Sequence, residues 1–119
     1  MGGGPVVLVV EDEALLRESI VQTLQDAGCE VLEASSGEGA IALLGNGRKI
    51  HVLFTDIQLS GYLSGWDVAD AVRKTHPDTP VIYASGTTID ARRQVPRSSF
   101  FSKPYVAADV VEACLKAKT

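Results

Sequence analysis

The chain has 119 residues, 45% hydrophobic and 22% charged, proportions that fit one compact domain with its own core and exclude a disordered or fibrous chain. Its formal charge of −4 gives no general electrostatic reason to bind nucleic acid, and the isolated Arg92-Arg93 pair reads as a solvated face. No apolar run approaches the ~20 residues of a membrane helix and nothing resembles a secretory signal, so the cytoplasm is the expected location, away from any membrane.

Residues 1–5, beginning Met1-Gly2-Gly3-Gly4, read as a flexible leader to a domain over 6–119; Val6 stands where a myristoylation signal carries Ser or Thr. Residues 6–10, Val-Val-Leu-Val-Val, form the continuous apolar run of a strand covered on both faces. Leu16, Ile20, Leu24 and Ala27 then recur at helical spacing before Gly28. A second strand is expected over 30–34, followed by a helix through Ala40, Ile41, Leu43 and Leu44 that Ser35-Ser36-Gly37-Glu38 opens as a Ser-x-x-Glu capping box.

A third strand over 51–55 runs into Asp56, and a loop rich in Gly and Ser leads to a second capping box, Ser64-Gly65-Trp66-Asp67. It opens a helix through Val68, Ala69 and Val72, and Trp66 at its start reads equally as packing or as a reporter of the nearby loop. Pro77 and Pro80 bracket a turn before a fourth strand, 81–84, that ends in Ser85-Gly86. Thr87-Thr88-Ile89-Asp90 is poor helix sequence and Pro96 stops any helix over 91–94, so the fourth helix is expected to be short or mobile. A fifth strand over 99–102 leads through Lys103-Pro104 into a last helix with Val106, Val110 and Cys114 on one stripe. Cys29 and Cys114 have neither metal-ligand nor redox spacing and read as reduced and partly buried.

Strands alternating with helices imply an α/β fold, a doubly wound five-stranded parallel sheet with helices on both faces and ligands beyond the carboxyl ends of the strands. Those ends carry Glu11-Asp12, Asp56, Ser85 and Lys103; the second strand ends without a charge, which suits an edge place in a 2-1-3-4-5 order. In that order Asp12 and Asp56 face each other from neighbouring strands, and converging carboxylates repel unless a cation neutralises them. Magnesium fits, because it takes oxygen ligands, keeps several waters and is usually held by one or two carboxylates together with a phosphate. Lys103 and the Ser85 hydroxyl are suited to gripping phosphoryl oxygens, which leaves Asp56 as the nucleophile for an acyl phosphate. Singly, each has an ordinary reading: Asp12 as a helix cap, Asp56 as a loop residue, Ser85-Gly86 as a turn, Lys103 as surface.

The order of acid pair, single Asp, hydroxyl and Lys-Pro, each after its own strand, resembles the response-regulator receiver family of two-component signalling, from Val6 to about Leu115. The resemblance implies a flavodoxin-like fold that catalyses only its own phosphorylation and dephosphorylation, with Asp56 as phosphoacceptor. Asp12 and Asp56 would ligate Mg2+ directly, Gln58 through its backbone carbonyl and Glu11 through water; Lys103 would bind the phosphoryl group. Ser85 would be the switch hydroxyl, with Phe100 as the aromatic that turns inward, a place for which Phe101 competes. Gln58 and Thr87 match positions that tune acyl-phosphate lifetime, and Lys103-Pro104 matches a frequent cis peptide. The implied partner is a histidine kinase or histidine phosphotransfer protein.

Two departures stand out: Ser60 and Ser64 occupy places where most members carry proline and glycine, with Gly65 one residue late, and the stretch from Ser85 to Lys103 is shorter than is common. The loop over 59–63 is therefore expected to be altered. Two alternative functions share the architecture, a degenerate pseudo-receiver that only binds partners and a phosphatase with an aspartyl nucleophile. The second is disfavoured by Gln58, which stands where such enzymes commonly place an acid-base Asp; a flavin domain lacks its Gly-rich loop after Val10.

Overall fold

A computed structural model describes residues 4–45, 47–87 and 91–117. In chain order these form β1 (Val6–Val10), α1 (Ala14–Asp26), β2 (Glu30–Ala34), α2 (Gly37–Leu44), β3 (Val52–Asp56), α3 (Gly65–Thr75), β4 (Val81–Ser85), a 3-10 turn (Ala91–Arg93), β5 (Ser98–Ser102) and α4 (Ala107–Ala117). All sheet pairings are parallel and the order is β2-β1-β3-β4-β5, a doubly wound flavodoxin-like sheet.

The alternation of side chains along a strand explains why β1 can be apolar throughout. Val7 and Val9 enter one core with Ile20, Val21 and Leu24 of α1 and Val110, Val111 and Cys114 of α4. Leu8 and Val10 enter the other with Ala40 of α2 and Val68, Ala69 and Val72 of α3. β3 and β4 divide likewise, Phe54 and Ile82 going to the first core and Leu53, Val81 and Tyr83 to the second. None of the described helices is long and apolar enough to cross a membrane.

Several local expectations are corrected. The α2 cap is Ser36, whose hydroxyl accepts from the Gly39 amide, one residue beyond the Ser35 start of the expected box. Glu38, freed from that box, instead accepts from the Tyr62 amide at 3.1 Å. Ala27 is the exposed C-cap of α1, and Val21 takes the buried place on that face. Val106 precedes α4 and is exposed, so the buried stripe is Val110, Val111 and Cys114. Both cysteines are buried and neither is in a disulfide. Of the expected leader, residues 1–3 lie outside the described residues, while the Pro5 carbonyl already accepts from the Glu30 amide.

The shortened fourth helix is a single 3-10 turn, with 88–90 of its expected start outside the described residues. The connection is held in another way. The Arg73 guanidinium donates to the carbonyls of Thr79, Pro96 and Arg97, and the Tyr83 hydroxyl accepts from the Val95 amide. Phe100 lies against this side, stacked on Tyr83 with ring centroids 5.2 Å apart and edge-on to Trp66 at 6.0 Å.

Candidate functional site

The ladder places the site by continuing just past the strands. The Glu11 amide donates to Ala34, the Ile57 amide to Ala84 and the Lys103 amide to Ser85, so the residues at three strand ends sit at fixed heights beside one another. With Val10 paired to Thr55, Glu11 and Asp56 emerge level from β1 and β3. Below them α3 starts close against β3: a Cβ on Gly65 would lie 2.2 Å from the Asp56 carbonyl oxygen, so only glycine fits there, and its amide donates to the Ile57 carbonyl at 2.8 Å. The glycine displaced by one residue from the family pattern thus makes this close approach.

Carboxylate oxygens of Glu11, Asp12 and Asp56 lie within 4.8 Å of one another. Glu11 is fully buried and Asp56 is 4% exposed, so water screens neither well. The Lys103 ammonium bridges them, donating to Asp56 Oδ2 at 2.8 Å and standing 3.2 Å from Glu11 Oε1. Burial pushes the Glu11 carboxyl above its ordinary range; the Glu13 amide donating to Oε2 opposes this and the charge of Asp56 adds to it. Burial works against the Lys103 charge too, but the hydrogen bond and charge of Asp56, with Glu11, hold its pKa above the usual lysine value. For Asp12, partial burial is the largest single influence, but it is outweighed by hydrogen bonds acting together, first that of the Ser60 hydroxyl, which donates to Oδ2 at 2.9 Å, then those of Glu11 and the Asp12 and Ser60 backbone, so the carboxyl is held below its ordinary range.

The remaining predicted residues surround this centre. The Gln58 amide donates to Asp56 Oδ1 at 3.3 Å. The Ser85 hydroxyl is engaged with its own loop, accepting from the Thr87 amide at 3.1 Å and lying 3.3 Å from the Thr87 hydroxyl. A groove of about 530 Å³ runs from Ser85 and Thr87 to Phe100 and Lys103, and a second of about 460 Å³ from Ser85 under the 57–64 loop to Trp66. Phe100 and Phe101 do not compete for one place: both are half-buried, Phe100 on the α3 side and Phe101 on the α1–α4 side.

Sequence reasoning missed two neighbours. Ser60 was legible only as a departure from a pattern, and Tyr105 gave no signal. The Tyr105 hydroxyl is buried without a hydrogen bond, and burial, then the charges of Glu11 and Asp56, push its pKa up.

The donor set fits a hard divalent cation. Three carboxylates against one ammonium leave the pocket negative, and buried Glu11 Oε1 has the Lys103 ion pair at 3.2 Å as its polar contact, which leaves a lone pair that an ion's water would satisfy.

Residues 7–114 match the family described as response regulator receiver domain. The sensor kinase CckA of Brucella abortus is 34% identical over 110 residues, 88% of this chain and 12% of that protein. The nitrogen assimilation regulatory protein NtrX of Azorhizobium caulinodans is 32% identical over 81 residues, 67% of this chain and 18% of that protein. The chain thus spans a minor part of these relatives' own lengths. The crystal structure of a response regulator receiver protein from Sinorhizobium medicae superposes with a TM-score of 0.91 at 34% identity, covering 98% of this chain and 95% of that one. An acidic cluster beside a lysine at the strand ends and a family match along nearly the whole sheet lead to one conclusion: the chain belongs to the response-regulator receiver domains of two-component signalling.

Proposed function

We propose that this domain accepts a phosphoryl group on Asp56 from a histidine kinase or histidine phosphotransfer protein in a Mg2+-dependent reaction. The observation that carries the reading is the Lys103 ammonium set between two buried acids, Glu11 and Asp56, with Asp12 alongside. Asp12 and Asp56 would hold the cation with the Gln58 carbonyl, and Glu11 would hold one of its waters. When bound, the cation neutralises charge on the phosphoryl oxygens.

The chain's own residues do the rest. An Asp56 carboxylate oxygen attacks phosphorus; the O–P bond forms as the phosphorus–nitrogen bond of the donor histidine breaks, and the imidazole leaves with the electron pair. Lys103 exchanges its hydrogen bond from Asp56 to a phosphoryl oxygen, stabilising charge without moving a proton. Ser85 leaves Thr87 and donates to another phosphoryl oxygen. Its departure loosens the β4–β5 connection, which Phe100 follows inward, changing the surface a partner reads. Gln58, which lines the groove under the 57–64 loop, and Thr87, which lines both grooves, tune access of water to the acyl phosphate. The likeness to receiver segments of CckA and NtrX supports a kinase as donor.

Intact mass after incubation with acetyl phosphate and Mg2+ tests the reading. One added phosphoryl group that requires Mg2+ and is absent in Asp56→Asn is expected. No gain from acetyl phosphate or from several histidine kinases would instead favour a pseudo-receiver.

A further inference from the structure

Two side-chain hydrogen bonds tie the outer part of the 57–64 loop to the rest of the domain, while Ile57 and Leu59 pack on the core shared with α2 and α3. The Ser60 hydroxyl donates to Asp12 Oδ2 at 2.9 Å, across from β3 to the end of β1. Two residues on, the Tyr62 amide donates to Glu38 Oε2 at the start of α2. Between them Gly61 has φ +93, a conformation that side chains rarely adopt, which lets the loop turn from one anchor to the other. Tyr62 is 99% exposed and adds no apolar packing at the loop tip. The two hydrogen-bonded anchors are both carboxylates, and one of them belongs to the acidic centre.

We infer that Ser60 is a positioning residue for the cation site: its hydroxyl fixes the orientation of Asp12 and couples cation binding to the order of the 57–64 loop. This rests on the proposed Mg2+ site. A carboxylate that rotates freely spends binding energy on being ordered, whereas one already held by a donor on Oδ2 is ordered before the cation arrives, with an oxygen within 4.8 Å of those of Asp56 and Glu11. Outer hydrogen bonds of this kind commonly contribute about 10–100-fold in metal affinity. The coupling is reciprocal, since whatever Ser60 adds to cation binding the cation returns as stability of the Ser60 contact and of the loop that carries it. Ser60 is exposed and its hydroxyl donates to Asp12 alone among the described hydrogen bonds, so its removal leaves the cores untouched.

The test is calorimetric titration of Mg2+ into the wild type, Ser60→Ala, Ser60→Thr and Asp12→Asn, without any phosphodonor, with amide exchange over 57–64 followed before and after Mg2+. The expected result is a loss of roughly 10-fold in affinity for Ser60→Ala and near-wild-type affinity for Ser60→Thr. Mg2+ should also slow exchange in the loop of the wild type and of Ser60→Thr more than in Ser60→Ala. Wild-type affinity in Ser60→Ala, with Asp12→Asn weakened, would overturn the role of Ser60 while leaving the cation site standing. Absence of Mg2+ binding by the wild type would overturn both. Unchanged apo circular dichroism of Ser60→Ala excludes misfolding as the source of its loss.

Discussion

Lys103 is the one cation within reach of both Glu11 and Asp56 among the described ion pairs, and it comes from a different strand from either. Replacing it removes a charge and leaves two low-exposure carboxylates facing one another. Lys103→Met is expected to lower the stability of the cation-free domain by roughly 1–3 kcal/mol, less than a wholly buried pair would show because the lysine side chain is partly exposed. Mg2+ should restore more stability to this variant than to the wild type, because a ligand bound only by the folded state stabilises by an amount set by its affinity, and loss of the Lys103 charge lets the acids bind a cation more tightly. Thermal melts in chelator and in Mg2+ measure both; equal melts in chelator would mean that water already neutralises the acids. The convergence of Asp12, Asp56 and Lys103 was legible because each follows the end of its own strand. Ser60 was not, because its bond to Asp12 joins residues far apart in the chain and depends on how a loop of non-family composition folds. The exposed Val106 misled for a simpler reason: apolar spacing does not say on which side of a helix start a residue falls.

Among the elements, α3 shows most directly how sequence becomes structure. Ser64 and Asp67 form a reciprocal capping box, and Arg93 reaches from the 3-10 turn to Asp67 and Asp70. The Ser64 amide, then the Ser64 hydroxyl and Arg93, hold the Asp67 carboxyl below its ordinary range despite some burial. A lowered folded-state pKa means that the unfolded chain takes up the proton first as pH falls. The contribution of Asp67 is therefore complete above the ordinary carboxylate range and is lost as pH drops through its lowered folded value. Asp67→Ala should cost about 1 kcal/mol at neutral pH, and the gap in melting temperature between it and the wild type should close in acid. A gap that persists below the carboxylate range would assign the loss to packing instead. This box could be read from four consecutive residues, whereas the Ser35 box could not, because either of two adjacent serines can cap and only the backbone chooses Ser36. The weak fourth helix was visible in Pro96 and the run Thr87 to Asp90; its substitute, the Arg73 clamp on three carbonyls, depends on contacts that no local pattern encodes.

At the scale of the whole molecule, the strand order could be read because apolar strands demand cover on both faces and the uncharged end of β2 suited an edge. The division of the interior into two cores follows from the same alternation and puts Cys114 between α1 and α4, 1% exposed. Burial, with the nearby Cys29, pushes its thiol up to about 12, so at pH 8 it is neither ionised nor reachable. Labelling of Cys114 by a thiol reagent in the native state should proceed only through global opening, and should slow with Mg2+ by the factor that Mg2+ stabilises the fold. Labelling that is fast and indifferent to Mg2+ would show a local route past α4.

The all-parallel order also has a consequence for how the polypeptide is made. β1 lies between β2 and β3, with Val7 paired to Val52 and Val10 to Thr55. Of the five strands it is translated first, yet its second neighbour follows only after two helices and another strand, and such distant pairings form slowly. Until then the nascent chain carries a bare five-residue run, Val-Val-Leu-Val-Val, that suits intermolecular stacking as well as it suits the sheet. Pro5 on one side and Glu11-Asp12-Glu13 on the other interrupt that run with a missing donor and three negative charges. The acids that would receive a cation in the finished domain thus also act as gatekeepers on the ribosome, guarding a strand whose partner has yet to be synthesised.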